Sequence, residues 1–142
     1  MKSLTRAELK TELINAGIRP SVQRLAIYEY VRKSKAHPTA EMVYEALHNE
    51  LGSLSLTTVY NTLKLYTDAG LILMLNIDDV FLHYDGDTSV HAHFRCNSCG
   101  AIHDLPVKSD CSSWFDGSED FQITDVQLYL KGLCKNCKEN KN

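Results

Sequence analysis

Two Cys-x-x-Cys pairs constrain this chain more than any other feature of its sequence. The first pair is Cys96 with Cys99, and the second is Cys134 with Cys137. Two such pairs predict a closed tetrahedral zinc site built from four thiolates. A shared zinc ion would tie the C-terminal end of the chain to the first pair and would contribute folding free energy directly. A redox dithiol is the alternative, and the absence of a thioredoxin-like βαβ pattern disfavours it.

A His-x-His doublet, His91 and His93, stands just before the first pair and suggests a second, different metal. Residues two apart on a strand point to the same side, so both imidazoles can face one ion. Mixed nitrogen and oxygen ligands suit iron(II) or manganese(II) better than a thiolate site does. The candidate ligands of this metal are His37, Asp85, His91, His93 and Asp104. His83 and His103 lie nearby in the sequence and compete for the same role.

Composition and charge narrow the class of protein. The chain has 142 residues and is 44% hydrophobic, as expected for a globular protein without membrane spans. Its N-terminus lacks the apolar stretch of a signal peptide, which predicts a cytoplasmic protein whose cysteines favour metal over disulfides. Residues 1–75 carry 9 Lys and Arg against 7 Asp and Glu, whereas residues 76–142 carry 6 against 11. This division suits a polyanion-binding domain joined to a cation-binding one.

The first half has the apolar spacing of helices. The expected helices run from about Leu9 to Gly17, over 21–33, from a Thr39 cap to about Leu51, and from a Ser55 cap over Leu56 to about Asp68. The last two are joined by a short glycine-containing turn, which is the helix-turn-helix pattern. Two strands, Leu71–Ile77 and Val80–Asp85, would then form the wing of a winged helix. An ordinary helical bundle is the alternative.

The second helix of this pair offers polar groups where a recognition helix meets DNA. Its candidate contacts are Thr57, Thr58, Tyr60, Asn61 and Lys64. The second half of the chain has the pattern of strands over His91–Arg95, Ala101–Val107 and Phe121–Leu130, with a zinc-knuckle turn at Gly100. The fold class is therefore α+β: a winged helix-turn-helix domain over residues 1–84, then a small α/β metal-binding domain over residues 85–142.

Three segments together resemble a known family. They are Ser55–Leu63, the His91-x-His93-x-x-Cys96-x-x-Cys99-Gly100 block, and Cys134-x-x-Cys137. The chain resembles the ferric uptake regulator family of bacterial metal-dependent repressors, and most closely its peroxide-sensing members, which have aspartate at the position of Asp104. The resemblance implies a regulatory iron(II) or manganese(II) held by the five His and Asp candidates, and a homodimer formed by the second domain. It also implies a palindromic double-stranded DNA operator, with Arg19 reaching the minor groove or a phosphate and Tyr60 contacting a base.

The resemblance further implies a transcriptional repressor and not an enzyme. It implies that this repressor responds to peroxide by oxidation of His37 and His91. An iron-, manganese- or zinc-responsive repressor that ignores peroxide is the main alternative. A small metalloenzyme is a further alternative, but the sequence shows no recognisable nucleophile or general base for one. A zinc-ribbon interaction module would leave the polar helix over 57–64 unexplained. A further metal site found in iron-sensing members is expected to be absent here, and Cys111 is either a buried core residue or a reactive thiol.

Overall fold

The computed structural model describes residues 3–108 and 114–140. The chain forms two compact units, Met1–Thr88 and Ser89–Asn142. The functional division at residue 84 remains a prediction. Cys111 lies outside the described residues. Within the described part of the chain, the helices are too short or too polar to cross a membrane.

Four helices make up most of the first unit. They are α1 (Arg6–Asn15), α2 (Val22–Lys33), α3 (Ala40–Leu47) and α4 (Leu56–Asp68). Each begins after a hydroxyl residue whose side chain accepts a backbone N–H of the first turn, as at the predicted caps Thr39 and Ser55. Helix α1 starts earlier than predicted because Thr5 and Glu8 form a reciprocal capping box. Helix α3 ends earlier than predicted, and a turn over residues 48–54 leads into α4.

The core of the first unit is built from the apolar faces of these helices. Its buried members include Leu9, Leu13, Ile27, Tyr28, Val31, Val43, Val59, Leu63, Tyr66 and Ile72. The rings of Tyr28 and Tyr66 meet edge to face with centroids 5.2 Å apart. The Tyr66 hydroxyl donates to the carbonyl of Arg24, which ties α4 to α2. The exposed face of α4 is thereby held outward.

A short hairpin completes the winged helix. Strands β1 (Leu73–Leu75) and β2 (His83–Asp85) pair antiparallel, with Leu75 opposite His83. Both strands are shorter than predicted, because residues 76–82 form the connection instead of a tight turn at Asp78-Asp79. The Tyr84 N–H donates to the Pro38 carbonyl at 2.9 Å, so β2 is bonded to the loop before α3.

A three-stranded sheet and one short helix form the second unit. The strands are β3 (Ala92–Cys96), β4 (Ile102–Leu105) and β5 (Leu128–Gly132), followed by α5 (Lys135–Glu139). Their order is β4-β3-β5, with β4 antiparallel and β5 parallel to β3. The predicted strand over Phe121–Leu130 was wrong in its first half. Phe121 and Ile123 are exposed, so they supply no buried face, and a 3₁₀ helix (Ser118–Asp120) precedes them.

Candidate functional site

The four Cys-x-x-Cys thiols meet at one point of the second unit. All four Sγ atoms lie within 4.8 Å of one another, and those of Cys99 and Cys134 are 3.8 Å apart. Zinc–sulfur bonds of 2.3 Å in a tetrahedron separate sulfurs by about 3.8 Å, whereas a disulfide brings them to about 2.05 Å. The cluster therefore fits a structural zinc site, and it does not fit a disulfide.

Backbone geometry brings the two cysteine pairs together. Strand β3 delivers Cys96, and Gly100 at φ +77° allows the tight turn after Cys99, which a side chain would strain. The Asn97 N–H donates to the Gly132 carbonyl at 2.7 Å, so the end of β5 lies beside this turn. Cys134 follows two residues later, at the N-cap position of α5.

The Cys96 sulfur is prepared to carry negative charge. The backbone N–H groups of Cys99 and Cys134 point at Cys96 Sγ from 3.5 and 3.4 Å. These two hydrogen bonds lower the pKa of the Cys96 thiol to about 5. Thiolate is the form that binds zinc, so the local backbone favours metal binding.

A second set of donors lies on the sheet of the same unit. His93 is directly opposite Asp104 in the antiparallel register, and His91 comes one residue before β3. The Asp104 Oδ1 atom is 3.3 Å from both His91 Nε2 and His93 Nε2. Ligands about 2.1 Å from one metal are separated by about 3 to 3.4 Å. The three side chains therefore present one oxygen and two nitrogens at ligand spacing.

The His91 ring is held in the tautomer that a metal requires. Its Nδ1 lies 2.7 Å from the Ser89 carbonyl oxygen, which can only accept, so Nδ1 carries the proton. Nε2 is then the ring nitrogen directed toward Asp104. Metal-binding histidines commonly donate their second ring N–H to a backbone carbonyl in this way.

Two further candidates face each other in the first unit. His37 Nε2 lies 3.6 Å from Asp85 Oδ2, and both side chains are buried. The Asp87 N–H donates to the other carboxylate oxygen, Asp85 Oδ1, at 2.9 Å. That hydrogen bond orients the carboxylate so that Oδ2 is the oxygen directed at His37.

The backbone of His37 is strained and held in place by β2. Among the described residues, His37 alone combines a side chain with a left-handed φ, at +51°. Such strain persists only where neighbouring contacts impose it, and it concentrates at functional sites. Here His83 Nδ1 lies 2.7 Å from the His37 carbonyl oxygen, and His83 Nε2 lies 3.0 Å from Asp78 Oδ2.

The two competing histidines are accordingly placed elsewhere. Both ring nitrogens of His83 are engaged by oxygen acceptors, so this residue supports the His37 loop and offers no free lone pair to a metal. His103 is exposed and is the neighbour of Asp104 on β4, where successive side chains point to opposite faces. The supporting role of His83 depends on a long-range contact with His37, and that of Ser89 on local backbone geometry beside His91; the sequence carries no signal for either.

The polar residues of α4 form one exposed face. Thr57, Tyr60, Asn61 and Lys64 are exposed, whereas the Thr58 hydroxyl is 2.8 Å from that of the cap residue Ser55. Lys64 Nζ is 2.7 Å from Asp68 Oδ2. Arg19 is also exposed, and its carbonyl accepts from the Arg24 guanidinium at 2.9 Å.

One contact on this face was not anticipated. The Tyr60 hydroxyl donates to a carboxylate oxygen of Glu41, the second residue of α3. This hydrogen bond raises the pKa of Tyr60 to about 12, so the phenol keeps its proton at neutral pH. The predicted DNA face thus includes an acidic side chain from the preceding helix.

The model of the ferric uptake regulator family matches residues 15–131. The chain belongs to this family. It is 35% identical over 132 residues to a peroxide-responsive repressor, PerR, of Staphylococcus epidermidis, covering 92% of this chain and 88% of the relative. Both the helix-turn-helix and the His-x-His-x-x-Cys-x-x-Cys block lie inside the matched residues.

Solved structures of family members share the fold. The structure of PerR from Streptococcus pyogenes is 30% identical with a TM-score of 0.54, covering 96% of this chain and 95% of that one. The ferric uptake regulator of Pseudomonas aeruginosa, solved with manganese, is 26% identical with a TM-score of 0.69, covering 89% and 97%. Together these relatives identify this family member as a metal-dependent repressor of transcription.

Proposed function

We propose that this repressor senses peroxide through one regulatory metal held by both units. His37 and Asp85 would come from the first unit, and His91, His93 and Asp104 from the second. The observation that carries the proposal is the Asp104 oxygen at 3.3 Å from two imidazole nitrogens, one of which is already held in its metal-binding tautomer. Iron(II) or manganese(II) suits three imidazoles and two carboxylates.

A metal with ligands from both units would fix the orientation of the DNA-binding unit. The coupling between metal binding and DNA binding is reciprocal, because a metal that favours the DNA-binding form is itself bound more tightly by the DNA complex. In a homodimer this orientation would set two α4 helices about 34 Å apart, the spacing of one turn of DNA on a palindromic operator. Both the dimer and the cytoplasmic location belong to the proposal.

Peroxide sensitivity depends on which metal is bound and on which imidazoles are next to it. Iron(II) at this site would supply the redox chemistry that reduces hydrogen peroxide beside its own ligands, and manganese(II) would not. The imidazoles of His37 and His91 would take up the oxygen. The oxidised ring of His37 would no longer coordinate the metal through its nitrogen, although the contact from His83 would still hold the His37 backbone. The constraint between the two units would be lost, and DNA would be released.

A repressor that responds to the metal alone is the second candidate. The likeness to the manganese-loaded protein of P. aeruginosa favours this candidate, because that protein shares the fold and is a ferric uptake regulator. The same five residues would bind the metal in this case. The difference lies only in whether peroxide releases the DNA.

The experiment is a DNA-binding titration on the zinc-loaded protein. A fluorescent duplex containing the promoter of the protein's own gene is titrated with iron(II)- or manganese(II)-loaded protein, before and after brief exposure to hydrogen peroxide. We expect peroxide to release DNA from the iron form and to leave the manganese form bound. If peroxide releases DNA from neither metal form, the result would favour the repressor that responds to metal alone.

A further inference from the structure

The hydrogen bond between Glu41 and Tyr60 determines what Tyr60 can offer to DNA. A phenol is both a donor and an acceptor, and its hydroxyl ordinarily rotates to suit either partner. Here the proton is already directed at the Glu41 carboxylate, which can only accept. The outward-facing lone pair of Tyr60 Oη is what remains, so this oxygen meets the surroundings as an acceptor.

Both residues lie on the face where the proposed recognition helix would contact DNA bases. Tyr60 is in the N-terminal half of α4 and is 39% exposed, so its hydroxyl end can be reached from outside. Glu41 is half-buried in the first turn of α3, where a carboxylate is also stabilised by the helix dipole. The hydrogen bond to this carboxylate orients the Tyr60 hydroxyl toward α3.

The charge of this pair argues against a phosphate contact. A carboxylate beside the tyrosine repels the DNA backbone, so a residue chosen only for affinity would not be placed there. The repulsion between the Glu41 carboxylate and the DNA backbone is offset only if the Glu41–Tyr60 pair discriminates among bases. In the major groove, the groups that donate to an acceptor are the exocyclic amines N6 of adenine and N4 of cytosine.

We infer that Glu41 is a specificity-determining positioning residue, which fixes the Tyr60 hydroxyl as an acceptor that selects an exocyclic amine of adenine or cytosine. The inference rests on the proposed DNA-binding role of α4. It assigns to Glu41 a part in sequence recognition that acts through Tyr60. The two sources of the amine, adenine and cytosine, are distinguished by which base is selected.

The test uses a pool of randomised DNA duplexes, because it requires no known operator. Manganese(II)- and zinc-loaded protein is mixed with the pool, and the retained duplexes are sequenced. The variants are Tyr60→Phe, which removes only the hydroxyl, and Glu41→Gln, whose amide can donate to Tyr60 and release the phenol proton. The double variant tests whether the two residues act together.

We expect the wild type to prefer adenine or cytosine at one position of its motif. Tyr60→Phe and Glu41→Gln should each lower that preference by about tenfold at the same position, in line with the usual cost of a mismatched contact. The double variant should be no worse than Tyr60→Phe alone. The rest of the motif should be retained in all three.

Glu45→Gln is the matched control. Glu45 lies one turn along α3, is exposed, and pairs with His48 at 3.7 Å, so the change removes the same charge from the same helix without touching Tyr60. If Glu41→Gln only raises affinity uniformly, as Glu45→Gln is expected to do slightly, the inference is overturned. It is also overturned if Tyr60→Phe changes a position that Glu41→Gln leaves intact. A wild type that enriches no motif would instead contradict the proposed function.

Discussion

Asp104 and His93 lie directly across from each other on β4 and β3, with Asp104 Oδ1 3.3 Å from His93 Nε2. The same oxygen is 3.3 Å from His91 Nε2, so one short aspartate reaches both imidazoles. The length of this side chain is therefore matched to the sheet register. A longer carboxylate would have to bend or retreat to hold the same position.

Asp104→Glu tests that match. We expect metal-dependent DNA binding to be retained, because an oxygen donor remains, while release by peroxide slows about tenfold as the ligand set shifts. The measurement is DNA release from the iron(II)-loaded variant against time after peroxide. Asp104→Ala is the comparison and should lose manganese(II) binding as well. Full peroxide sensitivity in Asp104→Glu would contradict a role for the shorter side chain.

Cys96→Ser tests the structural zinc. Because Cys96 is fully buried and receives two backbone N–H groups, a hydroxyl there cannot replace the thiolate. We expect the variant to lose its zinc and the thermal midpoint to fall by at least about 10 °C, since metal binding supplies folding free energy. Zinc content and circular dichroism measure both effects. Cys111→Ser is the control and should keep its zinc; a Cys96→Ser protein that does the same would refute the four-cysteine assignment.

His83→Phe tests the support given to the His37 loop. The substitution removes the contact to the His37 carbonyl, while an apolar ring remains in the partly buried site. Loss of such a supporting contact typically lowers metal affinity 10- to 100-fold, and we expect about tenfold for manganese(II). Calorimetric titration with manganese(II) gives the affinity. His103→Phe changes an exposed histidine on β4 and should have little effect. Equal losses in the two variants would remove the basis for this role.

Lys64→Gln tests a phosphate contact. The Lys64 ammonium is bonded to Asp68 one turn along α4, but both side chains are exposed and such pairs are weak in water. We expect weaker binding at all DNA sequences and a salt dependence whose slope is smaller in magnitude by about one unit. Asp68→Asn should strengthen binding slightly by freeing the lysine. A slope unchanged by Lys64→Gln would exclude the contact.

Local signals were sufficient for the helical half and for the zinc site. Thr39 and Ser55 are caps within a few residues of the apolar stripes they introduce, so the starts of α3 and α4 could be predicted. The cysteine spacing likewise specifies a ligand set before any fold is known, because residues three apart can place both thiols on one side of a turn, as at Cys96 and Cys99, or of a helix start, as at Cys134 and Cys137. The strands were harder: β1 has only three residues, too few for an alternating pattern to be recognised.

The packing and strand register behind individual contacts could not be predicted, although the sequence does predict His93 and Asp104 as ligands of one metal. His93 meets Asp104 because β3 and β4 pair in one register, and a shift of one residue would turn either side chain to the other face. Glu41 meets Tyr60 because α3 packs on α4, and neither residue alone signals the other. The left-handed backbone of His37 depends in the same way on the contact from His83.

Peroxide sensing at His37 and His91 is the central claim, and oxygen mapping by mass spectrometry tests it most directly. Zinc-replete protein is loaded with iron(II) or manganese(II), exposed briefly to hydrogen peroxide, digested, and searched for peptides that have gained one oxygen atom. We predict the added oxygen on His37 or His91 in the iron form alone. Unmodified histidines in the iron form, or oxygen found on Cys111 instead, would contradict the claim.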